Sequence, residues 1–179
     1  MKCTFAVVCC LSLVLLPALA QKKGAGAKGA GAPMTDQQFV DFAAQTDMVE
    51  ANLGQLAADA ASAQPIKDYA QMLVTDHTAD YHQLQDLAKQ ANLTVPDAID
   101  DEHQKMMIVP FQKLKGAAFD KKYSAEMVAG HTKAIAIYKK EADDAQNAAL
   151  KSYAQQALTV LQKHEDGAKD LGKAKAAAK

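Results

Sequence analysis

The sequence predicts an all-α protein whose body is an up-and-down bundle of four long helices, with a shorter helix between the second and the third. Three observations carry this. Apolar residues recur at steps of three and four along four long stretches, which is a helical and not a strand period. The connections between the stretches are short and marked by Pro, Gly or Asn, so sequential helices should lie antiparallel. Ala, Lys, Leu and Gln, all strong helix formers, dominate the composition, and neither Trp nor Arg is present.

The first segment is of a different kind. Lys2 precedes an apolar run from Phe5 to Leu16, Pro17 ends it, and Ala18-Leu19-Ala20 has the small-x-small pattern of a cleavage site. Residues 1–20 therefore read as a signal peptide, with retention as an N-terminal anchor the alternative. All three cysteines (Cys3, Cys9, Cys10) fall in this segment. The cleaved chain would have no thiol, hence no disulfide, no Cys-based metal site and no Cys nucleophile. Residues 21–34, including Gln21 to Pro33, form a Gly/Ala/Lys leader with nothing to bury. The expected location is the periplasm or cell envelope of a bacterium. No later apolar run approaches the length that spans a bilayer.

The bundle domain is expected over 35–171. Thr35 or Asp36 caps a helix running to about Ser62, with Phe39, Phe42, Ala43, Val49, Leu53, Leu56, Ala57 and Ala60 on its stripe. Pro65 suits the first turn of a second helix running to about Gln90, striped by Ile66, Tyr69, Ala70, Leu73, Tyr81, Leu84 and Ala88. Asn92 to Pro96 breaks the pattern. Asp97 to Lys115 reads as the shorter helix, kinked at Pro110, and Gly116 ends it. A third long helix follows from Ala117 to Gln146, with Phe119, Met127, Ala134, Ile135, Tyr138 and Ala142. The fourth runs from Asn147 to Leu171, with Leu150, Tyr153, Ala154, Ala157, Val160, Leu161 and Ala168. Residues 172–179 are a Lys/Ala tail. The helix pairs read as copies: Ile66-Lys67-Asp68-Tyr69-Ala70-Gln71 and Leu150-Lys151-Ser152-Tyr153-Ala154-Gln155 open the second and fourth helices, 84 residues apart. A similar offset of 81 sets Glu50 against His131.

Between the tails the body has 13 Lys against 21 acids. An acidic body with basic tails does not suit a nucleic-acid-binding domain, and the tails read as solubilising segments. The chain offers no Gly-rich phosphate loop, no Ser/His/Asp pattern and no Cys pair.

Four ionisable residues fall on the apolar stripes, one per long helix: Glu50, His77, His131 and His164. Counted from the helix connections, they lie at one height to within about a turn of 5.4 Å. A single histidine on a stripe is ordinarily a satisfied core residue. Four polar groups at one level must satisfy each other, because an unpartnered buried polar group costs about 1–3 kcal/mol and an unpaired charge costs more. Two arrangements do so. One is a hydrogen-bonded network that fixes helix register. The other is a mononuclear divalent transition-metal site, for copper, zinc or iron, built from three imidazoles and a carboxylate. Asp76 is a candidate acceptor behind His77 or His131. A di-iron oxidase fits less well, since it needs Glu-x-x-His on two helices and neither His77 nor His164 has that context. His82 and His103 read as solvated, Asp120 as an acid near a helix N-terminus, and the five tyrosines as core or boundary residues with wet hydroxyls.

These residues resemble the family of exported bacterial proteins catalogued as domain of unknown function 4142. The resemblance covers about Gln38 to Leu171. It rests on Glu50 with Leu53-Gly54-Gln55-Leu56-Ala57, on Tyr69 to His77, on Gly116 to Tyr123, on His131, and on Leu158 to His164. The Asp76-His77 pair and the Phe119-Asp120-x-x-Tyr123 segment are its most specific parts. Thr159 stands where family members carry Pro. The resemblance implies a ferritin-like bundle and an export route, but no chemistry. The resulting expectation is a non-enzymatic exported binding protein with a metal at Glu50, His77, His131 and His164. The alternatives are an envelope or stress-related interaction protein whose Glu/His cluster is structural, and a ferritin-like oxidase. A protein or envelope partner and the oligomeric state are left open.

Overall fold

The computed structural model describes residues 34–177. The expected signal segment and nearly all of the leader lie outside the described residues, as do the last two residues of the tail. The described chain is all helical, without a strand. Helices α1 (Asp36–Ala60) and α2 (Gln64–Gln90) form one hairpin. A single turn, α3 (Asp101–His103), runs into a π-helical turn, Gln104–Ile108. Helices α4 (Gly116–Asp144) and α5 (Ala148–Ala177) form the second hairpin. No described helix is long and apolar enough to cross a membrane.

Local chemistry sets the boundaries. Thr35 closes a capping box on α1, accepting from the Gln38 amide while the Gln38 side chain accepts from the Thr35 amide. Pro65 occupies the first turn of α2, where its missing N–H costs nothing. Asn92, at φ 55°, turns the chain out of α2. Gly116, at φ 59°, opens α4 from the left-handed region that a glycine enters without steric cost. The short helix is much shorter than the expected 97–115. Asp100 starts it by accepting from the His103 amide at 2.8 Å, and Pro110 has no amide to extend it. The chain leaves through a π-type bond from the Val109 amide to the Gln104 carbonyl, 2.9 Å. At the other end, α5 runs past Leu171 to Ala177, because Ala and Lys favour helix over a free tail.

Within a hairpin the helices approach closely. A Cβ on Gly54 would lie 2.6 Å from Val74 Cγ2 and 2.8 Å from the Ala70 carbonyl, so only glycine fits at this α1–α2 crossing. Across the hairpins the neighbours run antiparallel: Phe39 meets Tyr138 at one end of the α1–α4 seam, while Asp120 meets Ser62 at the other. Asp120 is therefore more than an acid near a helix N-terminus. It is buried, accepts from the Ser62 amide and hydroxyl and from the Ala63 amide, and so caps the α1–α2 turn.

The core falls into two apolar clusters. One gathers Phe39, Ala43, Leu84, Tyr138, Leu150 and Tyr153. The other gathers Leu53, Ile66, Leu73, Phe119, Tyr123 and Met127. Every long helix passes from one cluster to the other, and each changes over at a buried polar residue: Asp47 and Glu50, His77, His131, and His164.

Candidate metal centre

The polar layer arises because each helix places an ionisable side chain on its buried face, with buried apolar residues one or two turns to either side. On α2, His77 lies between Leu73 and Leu84; on α4, His131 lies between Met127 and Ala134; on α5, His164 lies between Leu161 and Ala168. All three imidazoles are buried, His131 to 1% exposure. One ring nitrogen from each lies within 4.8 Å of those of the other two. The ring centroids are 5.2 to 5.8 Å apart.

Each ring uses one nitrogen outward and leaves the other unpartnered. His77 Nδ1 bonds to Asp47 Oδ1 at 2.8 Å, His131 Nδ1 donates to the Met127 carbonyl at 2.8 Å, and His164 Nε2 bonds to Asp76 Oδ2 at 3.0 Å. His77 Nε2, His131 Nε2 and His164 Nδ1 are buried with no hydrogen-bond partner. The Met127 carbonyl fixes the proton of His131 on Nδ1, so its Nε2 carries a lone pair, and the inner nitrogens of His77 and His164 do the same where Asp47 and Asp76 accept as carboxylates. The rings do not hydrogen-bond to one another. Burial lowers the pKa of all three, and His131, also facing His77, is pushed down to about 3. Neutral imidazoles with a fixed tautomer and a free lone pair are the protonation state that metal coordination requires.

Of the four residues expected to converge, the structure brings together the three histidines. Glu50 is beside them and outside that close group. It is 6% exposed, its Oε2 has no partner, and burial pushes its pKa up to about 7 against the opposing pull of His77. Its side chain turns toward the α1–α4 seam, where Oε1 lies 3.1 Å from the position a Cβ would take on Gly130. Two carboxylates do touch the triad, Asp76 and Asp47, and Asp47 is the one that sequence reasoning missed. Its spacing from Glu50, three residues along α1 and hence the same face, was the available signal. Burial holds Asp47 well above the usual carboxylate range. Asp76 is the expected outer acceptor, but its partner is His164 instead of His77 or His131.

Three further expectations need correction. Val160 is 41% exposed, off the stripe, because it lines a groove between α2 and α5. Four tyrosine hydroxyls bond to protein: Tyr69 donates to the His164 carbonyl, Tyr81 to the Pro96 carbonyl, Tyr153 to Asp80, and Tyr138 pairs with Tyr153. His103 is solvated in part, its side chain 38% exposed, and what needs adding is that it bonds to Asp100 and lines a cavity between α1 and α4.

The groove between α2 and α5 reaches two of the three imidazoles. It has a volume of about 490 Å³ and is lined by His77 and His164, by Asp76 and Asp80, and by the exposed Met72. Asp80 is held in place by the Tyr153 hydroxyl at 2.6 Å.

Comparison with known proteins agrees with this architecture. The family described as Domain of unknown function (DUF4142) matches residues 20–171. The chain belongs to this family. None of the curated proteins matches the chain. Among solved structures, "CopM in the Cu(II)-bound form" is similar, with a TM-score of 0.65 and 14% sequence identity over 78% of this chain and 96% of that one. At that identity the likeness is one of fold.

Proposed function

We propose that this DUF4142 protein is an exported, ferritin-like helical-bundle protein that binds one transition-metal ion in its core. Its ligands are His77 Nε2, His131 Nε2 and His164 Nδ1, and copper is the first candidate ahead of zinc and iron. The single observation that carries the reading is the set of three buried, unpartnered, converging lone pairs. The rings do not hydrogen-bond to one another, so a register-fixing network would need a proton or a water among them, and leaving the three nitrogens unpaired would cost about 1–3 kcal/mol each. A bound cation recovers that cost. Imidazole donors suit copper and zinc, and the similar fold of a Cu(II)-bound protein favours copper. Asp47 and Asp76 orient their histidines and balance the charge of a divalent ion. The open groove on the α2–α5 side makes the ion exchangeable, as suits binding or carriage in the envelope.

The test uses the full chain with Cys3→Ser, Cys9→Ser and Cys10→Ser, titrated with Cu(II), Zn(II) and Fe(II). Cu(II) should bind one equivalent, show imidazole nitrogen couplings in its electron paramagnetic resonance spectrum, and raise the melting temperature. At a thousandfold excess over Kd the stabilisation is about 4 kcal/mol. The same chain carrying His77→Ala and His131→Ala should lose both the signal and the rise. If the intact chain binds no metal while the double variant is merely less stable, the cluster is structural and the reading is wrong.

A further inference from the structure

On the opposite side of the bundle from the α2–α5 groove, the α1–α4 seam opens into a separate cavity of about 190 Å³. Its rim is supplied by the π-helical turn. His103, Met106 and Met107 all line it, and Glu50 lies at its buried end with Oε2 unpartnered. We propose that this cavity is a second metal site, selective for a soft monovalent ion of the Cu(I) class, with the His103 imidazole and the Met106 and Met107 thioethers as donors and the Glu50 carboxylate as counter-charge. The proposal does not depend on the triad reading.

Core packing accounts for Met107 but not for Met106. A flexible Met fills gaps inside a core, which suits the half-buried Met107. Met106 is 64% exposed and gains little from burial there. Thioethers cannot displace water from a hard cation, but they do bind soft ones, and imidazole joins them in such sites. Like His77 and His164, His103 has one ring nitrogen held by a carboxylate, here on a side chain 38% exposed. Its Nδ1 bonds to Asp100 Oδ1 at 2.9 Å, and Asp100 is itself fixed by accepting from the His103 amide. That leaves Nε2 as the coordinating atom. The backbone is also unusual there. A π-helical turn is rare, survives mostly at functional sites, and here carries both methionines on to the cavity that His103 lines. Lys133 is the one ammonium on the lining, and its Nζ lies 5.9 Å from the Phe42 ring centroid. Glu50 and Glu102 outnumber it, so a single positive charge is accommodated more readily than two.

The probe is Ag(I), a soft monovalent ion without redox chemistry of its own, added to the full chain with its three cysteines replaced by serine. Peroxide converts exposed thioethers to sulfoxides, and a coordinated sulfur is protected. One equivalent of Ag(I) should slow oxidation of Met106 and Met107 at least tenfold, read by peptide mass mapping. The same protection should appear in the His77→Ala/His131→Ala chain, with Met34 and Met72 unprotected, so failure of the triad leaves this result standing. The Met106→Leu/Met107→Leu chain keeps side-chain volume but should lose one equivalent of Ag(I) in calorimetry, with its metal-free melting temperature unchanged. Unaltered oxidation of Met106, protection shared equally by Met34 and Met72, or full Ag(I) stoichiometry in the leucine variant would each overturn the proposal.

Discussion

The two hairpins make the most instructive comparison. On the α2–α5 seam they grip each other reciprocally. Tyr69 of α2 donates to the His164 carbonyl of α5, and Tyr153 of α5 donates to the Asp80 carboxylate of α2. Tyr69 and Tyr153 are 84 residues apart, and so are Asp80 and His164. One contact is the image of the other, as expected from two copies of one helix pair. The chemistry is not symmetric. At 80 and 164, and again at 50 and 131, the first hairpin carries a carboxylate where the second carries an imidazole. Repetition accounts for the scaffold and for the reciprocal tyrosines. The candidate centre sits where the copies differ, so the second hairpin supplies two of the three lone pairs and the first supplies most of the balancing acids.

The equivalent positions 50 and 131 should govern opposite limbs of the pH–stability curve, and this is the sharpest way to break the comparison. His131 is held near pKa 3, against an ordinary value of 6.5. Between those values the unfolded chain binds a proton that the folded chain does not, so stability falls as pH falls through this window. The loss is on the order of 5 kcal/mol. In His131→Gln the acid limb should flatten accordingly, as read by urea midpoints from pH 7 down to pH 3. Glu50 has the reverse sign. Its pKa is raised from 4.5 to about 7, so the folded chain holds a proton that the unfolded chain has lost. Stability therefore falls as pH rises from 4.5 to 7, by about 3 kcal/mol. Glu50→Gln should match the parent near pH 4.5 and exceed it by about that amount at pH 8. Equal pH profiles for the two variants would mean that the asymmetry has no energetic consequence.

The repeat itself was legible in the sequence because a helical period and a shared hexapeptide depend only on local spacing. The height of the polar layer was legible for the same reason: a fixed rise per residue turns counting into distance. What counting along a helix could not reveal was rotation. Glu50 and Asp47 share a face of α1, and which of them meets His77 depends on how α1 rolls against α2 at the Gly54 crossing. Asp76 is adjacent to His77, yet a one-residue step rotates it about 100° on a helix, away from its neighbour and on to the ring of His164. The tyrosine partners lie on other helices, beyond the reach of any local pattern.

The carboxylates behind the triad offer a smaller test of how the first hairpin serves the second. Asp76 crosses the seam to hold His164, and it also lines the α2–α5 groove. Asp76→Asn keeps the shape but removes the charge and the strong acceptor. Losing such an outer partner ordinarily weakens a metal about 10- to 100-fold. Copper affinity in competition with a chelator should fall within that range, while one-to-one stoichiometry persists. Unchanged affinity would mean that His164 needs no help from the opposite hairpin.

The reciprocal tyrosines give the finest comparison. Both are buried, both reach across the same seam, and they are equivalent in the repeat, so Tyr→Phe removes one hydroxyl from each of two matched environments. Their acceptors differ. Tyr69 serves a neutral carbonyl at 2.8 Å, and losing that bond should cost about 1 kcal/mol. Tyr153 serves the Asp80 carboxyl at 2.6 Å and also pairs with Tyr138 at 3.4 Å. A bond to a charged acceptor is worth about 1.5–3 kcal/mol, and its loss would also free Asp80 at the mouth of the groove. Tyr153→Phe should therefore be the more destabilising of the two by about 1 kcal/mol in urea unfolding. It should raise the salt dependence of copper association as well, which Tyr69→Phe should not. Equal costs would show that Asp80 is neutral when it accepts from Tyr153, in which case the burial that raises its pKa outweighs the hydroxyl that lowers it.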